Sequence, residues 1–511
     1  MQITVLGIVL LPLSLIWALR PVRLLQLALV AAVFEAAAAL ILGGNFGLQP
    51  AMVPGLLFMA YVFLQYALGM RYPGEAIALR TLMPLLALMC YAAISIWLLP
   101  DAFAGKIMVW PQRAVDPLLP GKVALQFNFG NVTQLLYLSF NIVAAAAVAV
   151  FMTRDRIPYR SIIGAYMLGG YVVVGLAFWQ FANRVAGVPF PDEVLQSNPG
   201  WAIVEQSVGT VPRVQGPFSE PAALAVYMSG VTICALWLSV RGYRTMRPNL
   251  LFALGFATTL LSTSTTGIAT MVAGLPVTLL VGSIGGDPKA LGRIARTLGL
   301  LLLGGVMLVG PVFLLRPSLI ASVDEVVEST LSKGQSESYE ERSAADAAAV
   351  ATIDQTYGLG VGWGSARSSS LLPGLLANGG LFGLAMVLWL ALRVVLLGRE
   401  GRRRARGHPG QILVDGFSAS LCSQLGAALL SAPMINSLAF FLQLGCVVGV
   451  LARMVQTPGM QRAPQPAGTW RAGYGTAFAG AGLMASPLAA SAPTPQGIDP
   501  PSLDRLRNDR P

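Results

Sequence analysis

Arg213, Glu220 and Pro221 fall within RVQGPFSEPAALAVY, residues 213–227, directly before a long apolar run in a chain that otherwise avoids charge. A guanidinium is planar, permanently charged and able to donate two parallel hydrogen bonds, which suits a phosphate oxygen pair. A carboxylate partly screened from water can have its pKa raised toward neutrality and then remove a proton from an attacking hydroxyl. Arg213 and Glu220 together therefore suit a reaction in which an anion departs as a hydroxyl arrives. The plainer assignment also stands at this point: Glu220 caps the helix that Pro221 opens, and pairs with an arginine.

Two more arginines carry the same chemistry. Arg342 and Arg367 lie in a long loop, about 317–371, where acidic residues outnumber basic ones. Within it, residues 338–354 contain neither Gly nor Pro, and Ser338, Arg342, Asp346, Val350 and Asp354 recur every four residues, which predicts a surface helix. Arg342 and Asp346 are spaced to support one another across one turn. YGLGVGWGSAR follows, with Gly358, Gly360, Gly362 and Gly364 alternating. Backbone at Gly360, Gly362 and Gly364 could approach a ligand closely and present N–H groups to an anion, or simply form a turn back into the membrane. Glu340, Glu341 and Asp346 are alternative proton acceptors, but Glu220 shares a loop end with Arg213 and is the expected base.

The elements that must position these residues are membrane helices. Of 511 residues, 55% are hydrophobic and 11% charged, with a mean hydropathy of +0.67. Counting runs of about 17 to 25 apolar residues gives an all-α, polytopic transmembrane bundle of about thirteen spans. Among them is a run near 24–43 that contains Glu35, whose carboxylate would face an inner cavity, and another near 298–315. The first run lacks the basic start and small-residue cleavage site of a signal peptide and is expected to stay as a helix. Cys90, Cys234, Cys422 and Cys446 all fall in spans and show neither disulfide nor zinc spacing. Arg20/Arg23, Arg71/Arg80, Arg154/Arg156/Arg160, Arg241/Arg244/Arg247, Lys289/Arg293/Arg296 and Arg399–Arg406 all follow odd-numbered spans, which puts those loops in the cytoplasm. The net charge of +11 then belongs to the cytoplasmic face, where it suits anionic lipid; nucleic acid is not an expected partner. The single histidine, His408, lies in a basic loop with no metal-ligating companions.

The intervening loops, at about 183–221 and 317–371, are then external and hold every residue named above as a reactant. The chain divides into N-terminal helices (1–129), a core (130–453) and a tail (454–511) rich in Ala, Pro, Gly and Ser, expected to be disordered and cytoplasmic. A chain cut after about residue 456 should keep both insertion and activity, since that composition does not support a packed core. Assaying the truncated protein checks this; a folded but inactive product is the contrary result.

The motifs resemble those of the O-antigen ligase/polymerase superfamily, the Wzy-type integral-membrane glycosyltransferases. Arg213, Gly216, Phe218 and Pro221 match the arginine and G-F-x-x-P stretch of one periplasmic loop. Gly360, Gly362 and Gly364, followed by LLANGGLFG at 375–383, match the end of a later one. LLSTSTTGIATMVAG at 260–274 is similar to the family's helical hairpin, with Ser-Thr-Thr where members usually carry Ser-Arg. The resemblance covers roughly residues 130–450 and implies transfer of an oligosaccharide from undecaprenyl pyrophosphate, on the outer face of a bacterial inner membrane, to an acceptor sugar. It implies no metal and no cofactor, in keeping with the absence of an Asp-x-Asp pair or a histidine cluster. Arg213, Arg342 and Arg367 would then neutralise the leaving pyrophosphate. Family ligases carry a histidine in the long outer loop; its absence here favours a polymerase of lipid-linked repeat units, most similar to exopolysaccharide polymerases. A chain-length regulator or export complex would be a further partner. The alternatives are ligase-type transfer to a lipid acceptor, a transporter or flippase, and a structural subunit of a secretion complex. Few ionisable residues lie within the spans, Glu35 and Asp415 being the exceptions, which favours surface chemistry over ion-coupled transport.

Overall fold

The computed structural model describes residues 1–42, 47–112, 121–199, 207–208, 211–283, 337–405, 407–431 and 437–456, with isolated positions between 292 and 299. Its helices are α1 (Val5–Ile16), α2 (Pro21–Ala31), α3 (Met52–Ala67), α4 (Glu75–Ala102), α5 (Phe129–Met152), α6 (Tyr159–Ala186), α7 (Asp192–Leu195), α8 (Pro221–Val240), α9 (Pro248–Leu261) and α10 (Thr265–Ser283), then α11 (Glu337–Gln355), α12 (Leu371–Arg404), α13 (Gln411–Ser431) and α14 (Leu438–Gln456). Two-residue antiparallel strands tie the loops: β1 (Gln2–Ile3), β2 (Leu40–Ile41) and β3 (Gly47–Leu48) in one sheet, β4 (Met108–Val109) with β5 (Val123–Ala124), and β6 (Ser207–Val208) with β7 (Val211–Pro212). Residues 1–460 form one compact unit. Residues 461–511 lie outside the described residues, as does the expected span at 298–315.

The protein is a helical membrane protein. Seven helices, α4, α5, α6, α8, α12, α13 and α14, are long and apolar enough to cross a bilayer, while α1, α2, α3, α9 and the Thr265–Leu275 part of α10 are shorter apolar helices. α8 is central: most of its 20 residues are buried, and α9, α10 and α13 pack around it. In lipid, helices gain little from shedding apolar surface, so close approach through small residues holds them together. α14 shows this against α5, where a Cβ on Gly445 would stand 2.5 Å from the Ala145 carbonyl oxygen and one on Gly449 2.3 Å from that of Ala149.

The run expected to span over 24–43 does something else. α2 stops at Ala31, and the Ala36–Ala39 backbone hydrogen-bonds outward: Ala36 N–H to the Pro217 carbonyl (3.2 Å), Ala38 N–H to Ser197 Oγ (3.2 Å) and Ala39 N–H to the Leu48 carbonyl (2.7 Å). Four alanines, all fully buried, let this non-helical backbone pass through the protein interior with its polar groups satisfied. Glu35 therefore lies beyond the end of α2, outside any helix.

Helix directions separate the molecule into two ends. At one, Asp415 at the start of α13 pairs with Arg402 at the end of α12 (2.8 Å) and accepts a hydrogen bond from Tyr243 just past α8 (3.2 Å). There too Arg453, near the end of α14, pairs with Asp155 just after α5. His408 also belongs to this end, its Nδ1 accepting the Gly410 N–H; burial and the nearby Arg453 hold its imidazole below the usual histidine range. At the other end lie the starts of α5, α8 and α14, and with them Glu220.

Candidate functional site

Glu220 is the N-cap of α8, with extended backbone (φ −151°, ψ 158°), and Pro221 occupies the first helical position. Its side chain nevertheless makes no capping hydrogen bond. Among the described residues it has no ion-pair partner within salt-bridge distance either. The carboxylate instead lines a hollow of ≈ 230 Å³. The walls come from Glu35 and Phe34 beyond α2, Gln49 before α3, Gln112, Gln134 of α5, Phe218, Ser219 and Tyr227 around the start of α8, Gln424 of α13, and Ser437 and Ala439 at the start of α14.

The 213–219 loop is fixed from its flanks. Gln180 of α6, fully buried, accepts the N–H groups of Gln215 (2.9 Å) and Gly216 (2.7 Å) through one Oε1. Arg184, one turn further along α6, donates to the Arg213 carbonyl. The Arg213 side chain donates Nε–H to the Ser262 carbonyl (3.3 Å) in the turn between α9 and α10, so the segment 260–266 stands directly beside it. Burial, the like charge of Arg342 and, in the opposite sense, Glu220 act on Arg213, lowering it to about 10; it stays cationic at neutral pH.

Arg342 arrives on α11, which matches the helix expected at 338–354, and donates to Ser431 Oγ at the end of α13 (3.1 Å). The expected support between Arg342 and Asp346 does not form, because Asp346 is engaged elsewhere. Its carboxylate accepts the N–H groups of Ser369 (2.6 Å) and Ser370 (3.3 Å) and the Ser370 hydroxyl (2.6 Å), which secures the entry to α12. Arg367 lies 3.7 Å from Glu341, the residue beside Arg342, with both side chains more than half exposed. Arg213 thus feels the charge of Arg342, and Arg367 pairs with Glu341, the residue beside Arg342 on α11. Of the alternative bases, Glu341 is paired with Arg367, Asp346 closes a turn, and Glu340 is exposed on α11; none lines the hollow.

From Gly360 to Ala366 the glycine run is buried. Gly358, Gly360, Gly362 and Gly364 all have positive φ, from 77° to 94°. A Cβ on Gly360 would meet the Ala377 carbonyl at 2.6 Å, one on Gly362 the Ser95 carbonyl at 2.8 Å, and one on Gly364 Gln134 at 2.9 Å. The N–H of Gly360 is taken by Thr356 Oγ1 (2.9 Å) and that of Val361 by the Ala377 carbonyl (2.7 Å). What the run visibly does is lock the 357–366 loop between α4, α5 and α12, with Asn131 donating to Trp363 O and Ser365 Oγ from the α5 side. Arg367 and the Gln112 wall follow from that lock, since Arg367 N–H donates to Trp110 O (2.8 Å) and Gln112 Nε2 donates to Ala366 O (2.8 Å).

Sequence reading assigned Glu35 to a span; the structure sets it in the hollow with Glu220. Loss of water around it and the charge of Glu220 push its carboxyl up to about 7, although part of the side chain opens onto the hollow. The signal for it was its isolation: an acid amid VFEAAAAL needs a polar destination. No protein-family model matches this chain, and no curated protein matches it.

Proposed function

We propose that the protein is a membrane-embedded glycosyltransferase that polymerises lipid-linked repeat units, drawing on a polyprenyl-pyrophosphate donor at the outer surface of a bacterial inner membrane. The observation that carries this reading is the juxtaposition of Arg213, Arg342 and Glu220 at one end of the bundle, beside a hollow walled by amides, hydroxyls and aromatic rings. In the reaction the bond between the anomeric carbon and the pyrophosphate oxygen breaks, its electron pair leaving on polyprenyl pyrophosphate. The acceptor hydroxyl oxygen bonds that carbon, and its proton passes to Glu220. Charge accumulates on the departing pyrophosphate, where Arg213 and Arg342, with Arg367 beyond them, supply fixed positive charge at no reorganisation cost.

Cells lacking the protein should accumulate single lipid-linked repeat units and make no long polymer. Polymer formed at normal length but retained inside the cell would favour a transporter instead. Arg213→Lys tests the pyrophosphate role directly. Lysine keeps the charge but loses the fork, so turnover should fall about a hundredfold with the protein still inserted; unchanged polymer yield removes Arg213 from the anion site.

A further inference from the structure

We propose that Glu35 is the hydrogen-donating counterpart of Glu220: a protonated carboxyl that holds a hydroxyl neighbouring the one Glu220 deprotonates, and so seats the acceptor sugar. This rests on the glycosyltransferase reading. Both carboxyls line one hollow, and the charge of Glu220 reaches Glu35. The charge of Glu220 acts on Arg213, whereas no arginine acts appreciably on Glu35. When two carboxyls share a site with cations at one end, the negative charge settles there and the proton settles on the other.

A carboxylate only accepts hydrogen bonds, while a protonated carboxyl also donates. The pair therefore offers a sugar both partners that adjacent hydroxyls require. Gln49 points to the same ligand class. It is 8% exposed and lines the hollow, where its side-chain amide can both donate and accept. Beside Glu35 the titratable side chains lining the hollow are Glu220 and Tyr227, both from the start of α8; the segment before α3 and the helices α5, α13 and α14 bring amide, hydroxyl and apolar groups. From α6, Arg184 is turned to the Arg213 carbonyl. A phenol ordinarily titrates near pH 10, so a change near neutrality belongs to the carboxyl pair.

The test uses the full chain in nanodiscs and, as substrate, the lipid-linked oligosaccharide extracted from source cells that lack the protein. Rising pH ionises Glu35 and removes the donor, so wild-type turnover should fall as pH passes through about 7. Glu35→Gln keeps an N–H donor and cannot ionise. It should stay within about threefold of wild type at acid pH and lose that alkaline fall, while Glu35→Ala drops kcat/KM about tenfold. An alkaline fall that persists in Glu35→Gln, or a loss as large as that of Glu220→Gln, overturns the proposal. Infrared difference spectra separate its failure from that of the enzyme reading: a carboxyl band titrating near neutrality in wild type and missing in Glu35→Gln supports the shared proton even in a protein that turns nothing over. No such band overturns it.

Discussion

Glu220→Gln yields a protein that inserts and purifies as wild type does, yet turns over lipid-linked substrate at least about a hundredfold more slowly, the usual contribution of a positioned base. The two halves of that result have separate causes. Stability is spared because the carboxylate makes no capping hydrogen bond and no close ion pair, so glutamine leaves no buried partner stranded. Turnover falls because an amide cannot accept the acceptor's proton. Were Glu220 only a helix cap, the order would reverse: Tm would drop by a few degrees, as for loss of a cap worth about 1 kcal/mol, and turnover per folded molecule would hold. Measuring Tm and single-turnover rate on one preparation decides between them. Glu400→Gln is the control, since its exposed pair with Arg404 lies at the opposite end of the bundle.

How far the sequence predicted this site differs from residue to residue. α8 and its N-cap were legible because Pro221 sets the first helical position and an unbroken apolar run follows. α11 was legible because seventeen residues without Gly or Pro, rich in alanine, leave few alternatives. Glu35 was misplaced because hydropathy counts residues and cannot see that the Ala36–Ala39 backbone finds its hydrogen bonds in Pro217, Ser197 and Leu48, all far along the chain. The meeting of Arg213 with Arg342 was argued from shared chemistry; nothing local to either residue encodes it. Asp346 illustrates the opposite failure. Its spacing from Arg342 is right for a helical pair, but three donors at the start of α12 hold Asp346 while Arg342 is turned to Ser431.

Gly380→Ala should be severely damaging, and Gly379→Ala, one residue earlier, should be silent. Gly380 interrupts α12 with φ 64° and ψ −167°, a region essentially closed to residues with a Cβ. A Cβ there would lie 2.4 Å from the Leu359 carbonyl oxygen and 2.5 Å from that of Gly358, and Leu381 N–H donates to the same Gly358 carbonyl (2.9 Å). Backbone faces backbone, so no side chain can swing aside. Strain of about 1–3 kcal/mol is the minimum, before the clash is relieved by pushing out the loop that carries Arg367. Gly379 has helical geometry, and its Cβ would make only ordinary contacts, 3.6 Å or more, with Leu375, Trp363 and Leu88. Fluorescence-detected size exclusion and thermal melts on the two variants measure the difference. Equal behaviour would mean that the break in α12 is not what holds the glycine loop. A folded Gly380→Ala protein with normal stability but poor turnover would instead place the break in the positioning of Arg367, whose backbone is tied to Trp110 at the far end of the same loop.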